Sequence, residues 1–349
     1  MDQSQEFDLT TTYLNTASHG LLPARSLAEL RRGAERMADG TLDQAACFAV
    51  VEEARATFGR LVGLPAGRVA VGSTVAVHVA LIAGSLPPGA EVLIARDEFS
   101  SLPTPFDQRG DLRLRQAPLA ELAGAVTAGT ALVVVSAAQS ADGAVADLAA
   151  VSAAARAHGA RTLVDTTQST GWLPLDAGDF DYTVCGAYKW LLCPRGTSFL
   201  TVPEDFGGLR ALHAGWVAGE DPWRSCYGPV TELAHSARRF DESPAFLSYL
   251  GAAPALRLIE ELGQEAIGAH DRALAARFRA GLSRLGHPVP DSGGPVVSVP
   301  GLGPLTAELA RAGVQAADRA GRLRIALHLY NTEADVDRAL EVLESHRPA

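Results

Sequence analysis

Short apolar segments alternate with helical segments in the middle of the chain, and this alternation limits the folds that the sequence can adopt. Residues 131–136 (Ala-Leu-Val-Val-Val-Ser) form an unbroken apolar run of the kind that is buried on both faces of a parallel sheet. A predicted helix over 148–158 then leads to a second buried strand, which ends at Asp165. This strand, helix and strand order predicts an α/β fold.

The chain divides into three predicted parts. An N-terminal arm is assigned to residues 1–20, and a large domain to residues 21–245. Helical periodicity over 27–64, with a polar break at Asp39-Gly40, opens the large domain. Residues 246–349 are predicted to form a small α+β domain, because two long helical segments are followed there by alternating short strands and helices.

The composition excludes several classes of function. The 349-residue chain has a formal net charge of −10 at pH 7 and a hydrophobic content of 47%. These values favour a large buried core and argue against a nucleic-acid or anionic-membrane partner. No run approaches the roughly 18 apolar residues of a membrane span, and the polar N-terminal sequence does not resemble a signal peptide. We therefore predict a cytoplasmic location.

The cysteines predict neither a metal site nor a disulfide framework. The four cysteines, Cys47, Cys185, Cys193 and Cys226, show no CxxC spacing and no paired histidine. Cys185 and Cys193 are more simply explained as small apolar core residues than as reactive thiols.

Lys189 is the only lysine in the chain, and the other 29 of the 30 cationic side chains are arginine. On a solvated surface, lysine and arginine are interchangeable as positive charges. Of the two, only the lysine amine can lose its proton and add to a carbonyl to form a Schiff base. A single surviving lysine therefore indicates amine chemistry. The alternative is a lysine whose stem merely covers apolar surface.

Asp165 ends a predicted strand 24 residues before Lys189. A carboxylate and an amine in this arrangement can hold a pyridine ring between them, with the carboxylate keeping the ring nitrogen protonated. A turn or helix-capping role is the alternative for an aspartate at a strand end.

These two residues belong to a series of short motifs that resembles the class V aminotransferase family of fold-type I pyridoxal-phosphate enzymes. That group also includes cysteine desulfurases, kynureninases and isopenicillin N epimerase-like proteins. The motifs follow the family's order and extend from residue 13 to residue 333. They are Tyr13-Leu-Asn-Thr-Ala17, Gly72-Ser73-Thr74, Asp97-Glu98-Phe99, Asp165-Thr-Thr-Gln168, Tyr188-Lys189-Trp190 and Arg324-Ile-Ala-Leu-His328-Leu-Tyr-Asn-Thr-Glu333.

The resemblance implies a large domain with a mainly parallel seven-stranded sheet between helices, a bound pyridoxal 5'-phosphate, an amino-acid substrate and a homodimer. It makes Lys189 and Asp165 catalytic. It gives cofactor contacts to Ser73, Thr74, Phe99, Gln139, Asp165, Gln168, Tyr188 and Lys189, and to Ser243 from a neighbouring subunit. It gives substrate contacts to Arg324, Ser18 and His19, with Arg322, Arg238 and Arg239 as further candidates.

A phosphate-binding role for Ser73 and Thr74 is also supported independently of the resemblance. Both residues precede a predicted helix whose free N–H groups suit a phosphate dianion. Helix capping is the alternative for both residues.

The chain departs from the family pattern at three positions. Phe99 stands where cysteine desulfurases have a histidine, which removes an acid/base group. Gly186 replaces a hydroxyl residue that contacts phosphate in the family. No cysteine follows Cys226, whereas desulfuration needs a persulfide-forming cysteine near the C-terminus.

The resemblance implies chemistry through an external aldimine, with the freed Lys189 taking a proton from the substrate Cα. Transamination is the first expectation because it needs no additional group. β-Elimination by a carbon-sulfur lyase, decarboxylation or oxidative deamination, and epimerisation are the alternatives. A cofactor-free α/β binding protein is the alternative outside enzymes. A Rossmann dehydrogenase is disfavoured, because no G-x-G-x-x-G follows the early strands.

Overall fold

The computed structural model of the protein describes residues 5–346. The first four residues of the predicted arm and the last three of the predicted small domain lie outside the described residues. Within the described range the α-helices are α1 (Ala24–Ala38), α2 (Gln44–Leu61), α3 (Val75–Ser85), α4 (Thr104–Asp107), α5 (Leu148–His158), α6 (Phe246–Leu262), α7 (Gln264–Arg284), α8 (Thr306–Arg311) and α9 (Glu333–Ser345). The strands are β1 (Thr12–Tyr13), β2 (Val69–Gly72), β3 (Glu91–Ala95), β4 (Arg113–Ala117), β5 (Thr130–Ser136), β6 (Arg161–Asp165), β7 (Tyr182–Gly186), β8 (Ser198–Thr201), β9 (Val296–Pro300), β10 (Val314–Gln315), β11 (Ala317–Arg319) and β12 (Arg322–Ala326).

The central sheet has seven strands in the order β2-β8-β7-β6-β5-β3-β4. Strand β8 runs antiparallel to both of its neighbours, and the pairs from β7 to β4 are parallel. The mainly parallel α/β sheet predicted from the sequence is therefore confirmed. Ser136 and Asp165 are paired at the carboxyl ends of β5 and β6, where α/β sheets usually bind ligands.

The apolar run in β5 is buried on both faces of this sheet. Leu132 and Val134 pack in one cluster with α3, whereas Val133 and Val135 pack in another with α5. Because successive side chains of a strand point to opposite faces, a sheet covered by helices on both sides requires apolar residues at every position. This is the physical reason for the unbroken run.

Strand β4, at the edge of the sheet, has a different character. Its sequence Arg-Leu-Arg-Gln-Ala is mostly exposed and pairs only with β3. Charged side chains protect the unpaired edge of a sheet against further strand addition. They also remove the apolar pattern by which strands are predicted, and β4 was not predicted from the sequence.

The C-terminal part is built on a three-stranded antiparallel sheet in the order β11-β12-β9. Helices α7 and α9 cover this sheet, and Leu14 of the arm is buried in the same core. A capping box opens α9, since the Thr332 and Asp335 side chains bond to each other's backbone N–H groups. Strand β1 of the arm pairs in parallel with β10.

Helix α6 packs against the N-terminal helices rather than against this C-terminal sheet. A Cβ atom at Gly33 of α1 would lie within 3.1 Å of Leu247 and Leu250, so the two helices approach at a glycine. The predicted division after residue 245 thus precedes a helix that shares a core with the larger part of the chain.

A buried ion pair fixes the segment that leads into α6. Arg55 of α2 donates to both carboxylate oxygens of Asp241, at 2.6 and 3.2 Å. Asp241 also accepts from the backbone N–H of Val71 at 2.8 Å, and both side chains are nearly inaccessible to solvent. These bonds hold residues 241–244 beside the end of β2.

Among residues 5–346, the structure contains no helix that is both long enough and apolar enough to cross a membrane.

Candidate active site

A cavity of about 340 Å³ lies at the carboxyl ends of the central strands. Its walls come from the start of α3, the turns after β3, β5 and β6, and the Lys189 turn. The lining residues are Thr74, Val75, Ala76, Phe99, Ser101, Ser136, Ser140, Asp165, Thr167, Gln168, Tyr188, Lys189 and Arg195. The structure therefore brings Thr74, Phe99, Asp165, Gln168, Tyr188 and Lys189, six of the predicted site residues, into one cavity.

Lys189 is buried, with 5% of its surface exposed, and the turn around it is held on three sides. The carbonyl of Tyr188 accepts from the backbone N–H of Gly20 at 2.8 Å. The indole N–H of Trp190 donates to Gln168 at 2.8 Å, and the Trp190 carbonyl lies 3.0 Å from Nε2 of His328. The amine is therefore presented from a fixed backbone.

Burial lowers the pKa of Lys189 from its ordinary value of 10.5 to about 8. The charge of Asp165 opposes this shift by stabilising the ammonium form, and the nearby guanidinium of Arg324 adds to it. A substantial fraction of the amine is therefore neutral near physiological pH, as nucleophilic addition to an aldehyde requires.

This pKa gives a testable pH dependence for the attachment of pyridoxal phosphate to the cofactor-free protein. Only the neutral amine adds to the aldehyde, so the rate constant should rise about tenfold per pH unit below pH 8 and level off above about pH 8. Stopped-flow visible absorbance measures this rate. A midpoint near pH 10 would mean that Lys189 is exposed to water and has ordinary basicity.

Asp165 lies at the end of β6 and is also buried. Its Oδ1 accepts from the backbone N–H of Thr167 at 2.8 Å. Burial raises the pKa of Asp165, while the Thr167 hydrogen bonds and the charge of Lys189 oppose the shift. A buried carboxylate gains most from a cationic N–H partner, which a protonated pyridine nitrogen provides.

Phe99 forms an aromatic wall of the cavity. Its ring is 49% exposed, and its centroid lies 5.3 Å from the Lys189 amine. An exposed aromatic face beside an amine is available for stacking with a second ring.

Thr167 lines the same cavity and was not predicted from the sequence. Its hydroxyl accepts from the backbone N–H of Gly186 at 2.9 Å.

The start of α3 provides an anion site. Thr74 is the N-cap residue, but its side chain makes no capping bond within the described part of the chain. The first-turn residues Val75 and Ala76 line the cavity together with Thr74. The free backbone N–H groups of a helix N-terminus favour a negatively charged group.

Ser73 does not line this cavity, in contrast to the expectation from the sequence. Its backbone N–H and its hydroxyl both donate to Oε2 of Glu242, each at 2.8 Å. Both of its donors are therefore already used by a carboxylate.

Tyr188 lies between two cations. Its ring centroid is 5.6 Å from the Lys189 amine and 4.2 Å from the guanidinium carbon of Arg195. Arg195 was not predicted, although it lines the cavity and has no acidic partner among residues 5–346. A Cβ at Gly186 would lie 3.2 Å from the Tyr188 ring, so the missing hydroxyl of the family is replaced here by close packing.

Gln139 also lies outside the cavity. Its amide nitrogen donates to Oε1 of Glu98 at 2.7 Å, and Glu98 in turn accepts from the backbone N–H of Ser136 at 2.6 Å. Burial raises the pKa of Glu98. The next residue, Ser140, lines the cavity instead, and its hydroxyl accepts from Gln168 at 3.2 Å.

Arg324 is a buried cation without an acidic partner among the described residues. It donates to the carbonyl and hydroxyl oxygens of Ser140, at 2.5 and 3.2 Å, and to the Ser18 hydroxyl at 2.9 Å. Its Nε has no hydrogen-bond partner within residues 5–346. Burial lowers the pKa of Arg324 to about 10, and the neighbouring charge of Arg319 adds to the shift. The guanidinium thus remains charged at neutral pH and lacks a counter-ion.

The two arm residues predicted to contact substrate differ in position. Ser18 receives hydrogen bonds from Arg324 and Arg319, both at 2.9 Å, and donates to Asn15 at 2.6 Å. His19 is exposed, and both of its ring nitrogens lie 3.1 Å from the hydroxyl of Tyr13. Burial, followed by the charge of Arg195, lowers the pKa of His19.

The remaining candidates lie away from the cavity. Arg322 donates to Ser298 at 2.8 Å, and Arg238 donates to backbone carbonyls of residues 217–220. Arg239 stacks on Phe206 at 4.5 Å. Ser243 is exposed and does not line the cavity of its own chain.

His328 is a buried residue that contacts the turn carrying Lys189. No role in the site was predicted for it from the sequence. Its Nδ1 lies 2.8 Å from Asp271, its Nε2 lies 3.0 Å from the carbonyl of Trp190, and both side chains are completely buried. These two contacts fix the imidazole ring between Asp271 and the turn that carries Lys189. The only available signal was its place in the motif that begins at Arg324.

The residues of the cavity fit pyridoxal phosphate. A partly neutral amine can bind the aldehyde, a buried carboxylate can bind the ring nitrogen, an exposed aromatic ring can stack on the pyridine, and a helix N-terminus can bind the phosphate. Arg324 also fits an anionic substrate, because its buried guanidinium has no acidic partner among residues 5–346 and its Nε is unpaired there.

Comparisons with known proteins agree with this chemistry. The chain is 30% identical to isopenicillin N epimerase from Streptomyces clavuligerus, over 97% of this chain and 95% of that protein. It is 26% identical to the uncharacterized aminotransferase YcbU of Bacillus subtilis (strain 168), over 83% of this chain and 82% of that protein. Its fold is similar to that of the cystine C-S lyase C-DES, with a TM-score of 0.88 and 22% identity over 97% of this chain and 98% of that one.

The family model for aminotransferase class-V matches residues 41–290, which include the start of α3, Asp165 and Lys189. The resemblance read from the motifs is thereby confirmed, and with it the family's pyridoxal-phosphate chemistry. The chain belongs to the class V aminotransferase family and is a pyridoxal-phosphate-dependent enzyme.

Proposed function

We propose that the protein is an aminotransferase that acts on an α-amino acid. The observation that carries this proposal is a cavity lined by a single amine, Lys189, and a single buried carboxylate, Asp165, with the buried guanidinium of Arg324 bonded to Ser140 in the cavity wall. Arg324 has no acidic partner among residues 5–346, and its Nε has no hydrogen-bond partner there. The amine would bind the cofactor aldehyde, the carboxylate would bind the ring nitrogen, and the guanidinium would bind the carboxylate of the substrate.

Arg324 is proposed to bind the substrate carboxylate. A planar guanidinium forms two parallel hydrogen bonds to a carboxylate, and this geometry fixes which Cα bond stands perpendicular to the cofactor ring. Ser140 and Ser18 already hold the Arg324 side chain in place, so little conformational entropy is lost when the substrate binds.

Lys189 is proposed to move the proton. When it is bound, pyridoxal phosphate supplies an electron-withdrawing ring that weakens the bonds at the substrate Cα. Lys189 would bind the aldehyde and, once freed, would move the proton taken from the substrate Cα. Asp165 would hold a proton on the ring nitrogen, and Phe99 would stack on the ring.

The acid/base groups of the cavity lining are consistent with transamination. Among the lining residues, Lys189 is the only amine, and there is no histidine. One base on one face of the ring is sufficient for proton transfer between two adjacent carbons, as transamination requires.

Epimerisation is a second candidate. It is favoured by the 30% identity to an isopenicillin N epimerase over nearly the whole chain. This reaction returns the proton to the opposite face of Cα, which needs either a second proton donor or a lysine that reaches both faces. Tyr188, which also lines the cavity, is the candidate for such a donor.

A single-turnover experiment in D₂O distinguishes these reactions. The cofactor-loaded enzyme is mixed with L- and D-amino acids, without an oxo-acid acceptor, and the products are analysed by mass spectrometry and chiral chromatography. Transamination predicts one equivalent of 2-oxo acid and conversion of the cofactor to its amine form. A deuterated amino acid of inverted configuration with no 2-oxo acid would favour epimerisation. Repeated release of ammonia and pyruvate from cysteine conjugates would favour β-elimination.

The homodimer and the cytoplasmic location are also retained as proposals. Ser243 is exposed and does not line the cavity of its own chain, and a contact with the cofactor of a second subunit would give this residue a role.

A further inference from the structure

The start of α3 is bordered by a carboxylate. Oε2 of Glu242 accepts from both the backbone N–H and the hydroxyl of Ser73, each at 2.8 Å. Ser73 directly precedes Thr74, the N-cap residue that lines the cavity. A negative charge therefore lies one residue away from the helix end that favours an anion.

Glu242 is held in this position from two directions. The preceding residue, Asp241, is fixed by Arg55 and by the backbone N–H of Val71. Glu242 itself is fixed by its two bonds to Ser73. Because both contacts belong to adjacent residues of one segment, the carboxylate cannot easily swing away when a second anion arrives.

We propose that Glu242 weakens the binding of the cofactor phosphate and makes Ser73 unavailable as a phosphate ligand. The phosphate would then rest on the backbone N–H groups of the first turn of α3 and on Thr74. This inference rests on the proposed placement of the phosphate at the start of α3. It assigns Glu242 the role of setting how tightly the cofactor is held.

The size of the effect follows from Coulomb's law. A single and a double negative charge about 6 Å apart in water repel each other by an amount that corresponds to about a tenfold change in affinity. Glutamine has the same shape as glutamate and can still accept a hydrogen bond from Ser73. The Glu242→Gln substitution therefore removes the charge and keeps the contact.

The test is a titration of the cofactor-free, full-length protein with pyridoxal phosphate and, separately, with pyridoxal. The Glu242→Gln variant should bind pyridoxal phosphate about tenfold more tightly than the wild type and bind pyridoxal equally well. The matched control is Glu341→Gln, which removes the same charge from an exposed position on α9 and should change neither affinity. Equal or weaker binding of pyridoxal phosphate by Glu242→Gln would overturn the proposal.

A second variant keeps the proposal testable if Glu242→Gln does not fold. Ser73→Ala should change the affinity for pyridoxal phosphate less than about threefold, because the donors of Ser73 already belong to Glu242. A loss of tenfold or more that is absent with pyridoxal would make Ser73 a direct phosphate ligand and would contradict the inference. If the wild type bound neither compound, the cofactor site itself would be wrong. If the wild type bound pyridoxal phosphate tightly and Glu242→Gln had no effect, the inference about Glu242 would be refuted and the proposed cofactor site would stand.

Discussion

Replacement of Lys189 by alanine should abolish covalent attachment of the cofactor and reduce the rate of Cα proton exchange by about a thousandfold or more. The amine is both the group that binds the aldehyde and the base that takes the proton. No other side chain of the chain can form a Schiff base, because the sequence contains no second lysine. The α-amino group is the one other amine.

Borohydride reduction followed by intact-mass spectrometry measures the attachment directly. The wild type should gain the mass of one reduced cofactor, and Lys189→Ala should gain none. Because Lys189 is the only lysine, comparing the intact masses of the wild type and Lys189→Ala is sufficient to locate the site without peptide mapping. A cofactor mass that persisted in the variant would place the attachment at the α-amino group and refute the assignment.

Lys189→Arg is the matched control for the charge at this position. It keeps a cation beside Asp165 but has no amine that can lose its proton at neutral pH. We expect it to bind pyridoxal phosphate noncovalently, with the absorbance of a free aldehyde, and to be as inactive in Cα proton exchange as the alanine variant.

Replacement of Arg324 by methionine should lower kcat/KM for amino acids by about a hundredfold to a thousandfold. The substrate carboxylate would lose a paired, charge-assisted contact with a buried guanidinium. Methionine fills a similar volume and removes a buried charge that has no acidic partner in the described part of the chain, so the protein should remain folded. Steady-state kinetics and thermal unfolding measure the two effects.

Arg322→Met is the matched control for this prediction. Arg322 lies two residues away on β12, but its guanidinium donates to Ser298 rather than to the cavity residues. Its loss should change kcat/KM less than about threefold. A primary amine without a carboxylate provides a second check, because its reaction should be insensitive to Arg324→Met. If Arg322→Met produced the larger loss with amino acids, the carboxylate site would have to be reassigned.

The sequence predicted the parts of this protein that follow from strong local patterns. Strand β5 and helix α5 were correctly predicted because their apolar spacing matches their burial. Lys189 and Asp165 were paired by chemical reasoning, and the structure places both at one cavity. The exposed edge strand β4 escaped prediction because its surface position requires polar residues.

The sequence could not predict which side chain of a turn faces the cavity. Gln139 was chosen for a site role, but its amide is bound by Glu98 and its neighbour Ser140 lines the cavity instead. Ser73 was likewise predicted to contact the cofactor, but its hydroxyl donates to Glu242, which lies 169 residues further along the chain. Such assignments depend on tertiary partners that local patterns do not specify.

The described part of the arm, residues 5–20, connects the C-terminal sheet to the Lys189 turn. Its strand pairs with β10, Leu14 is buried in the C-terminal core, and its tip reaches back so that a Cβ at Gly20 would clash with the carbonyl of Lys189. Ser18 is bonded to Arg324 of β12, and the neighbouring Gly20 is bonded to the carbonyl of Tyr188. The arm therefore links the proposed carboxylate-binding arginine directly to the turn that carries the amine, so a substitution in the arm is expected to disturb both groups at once.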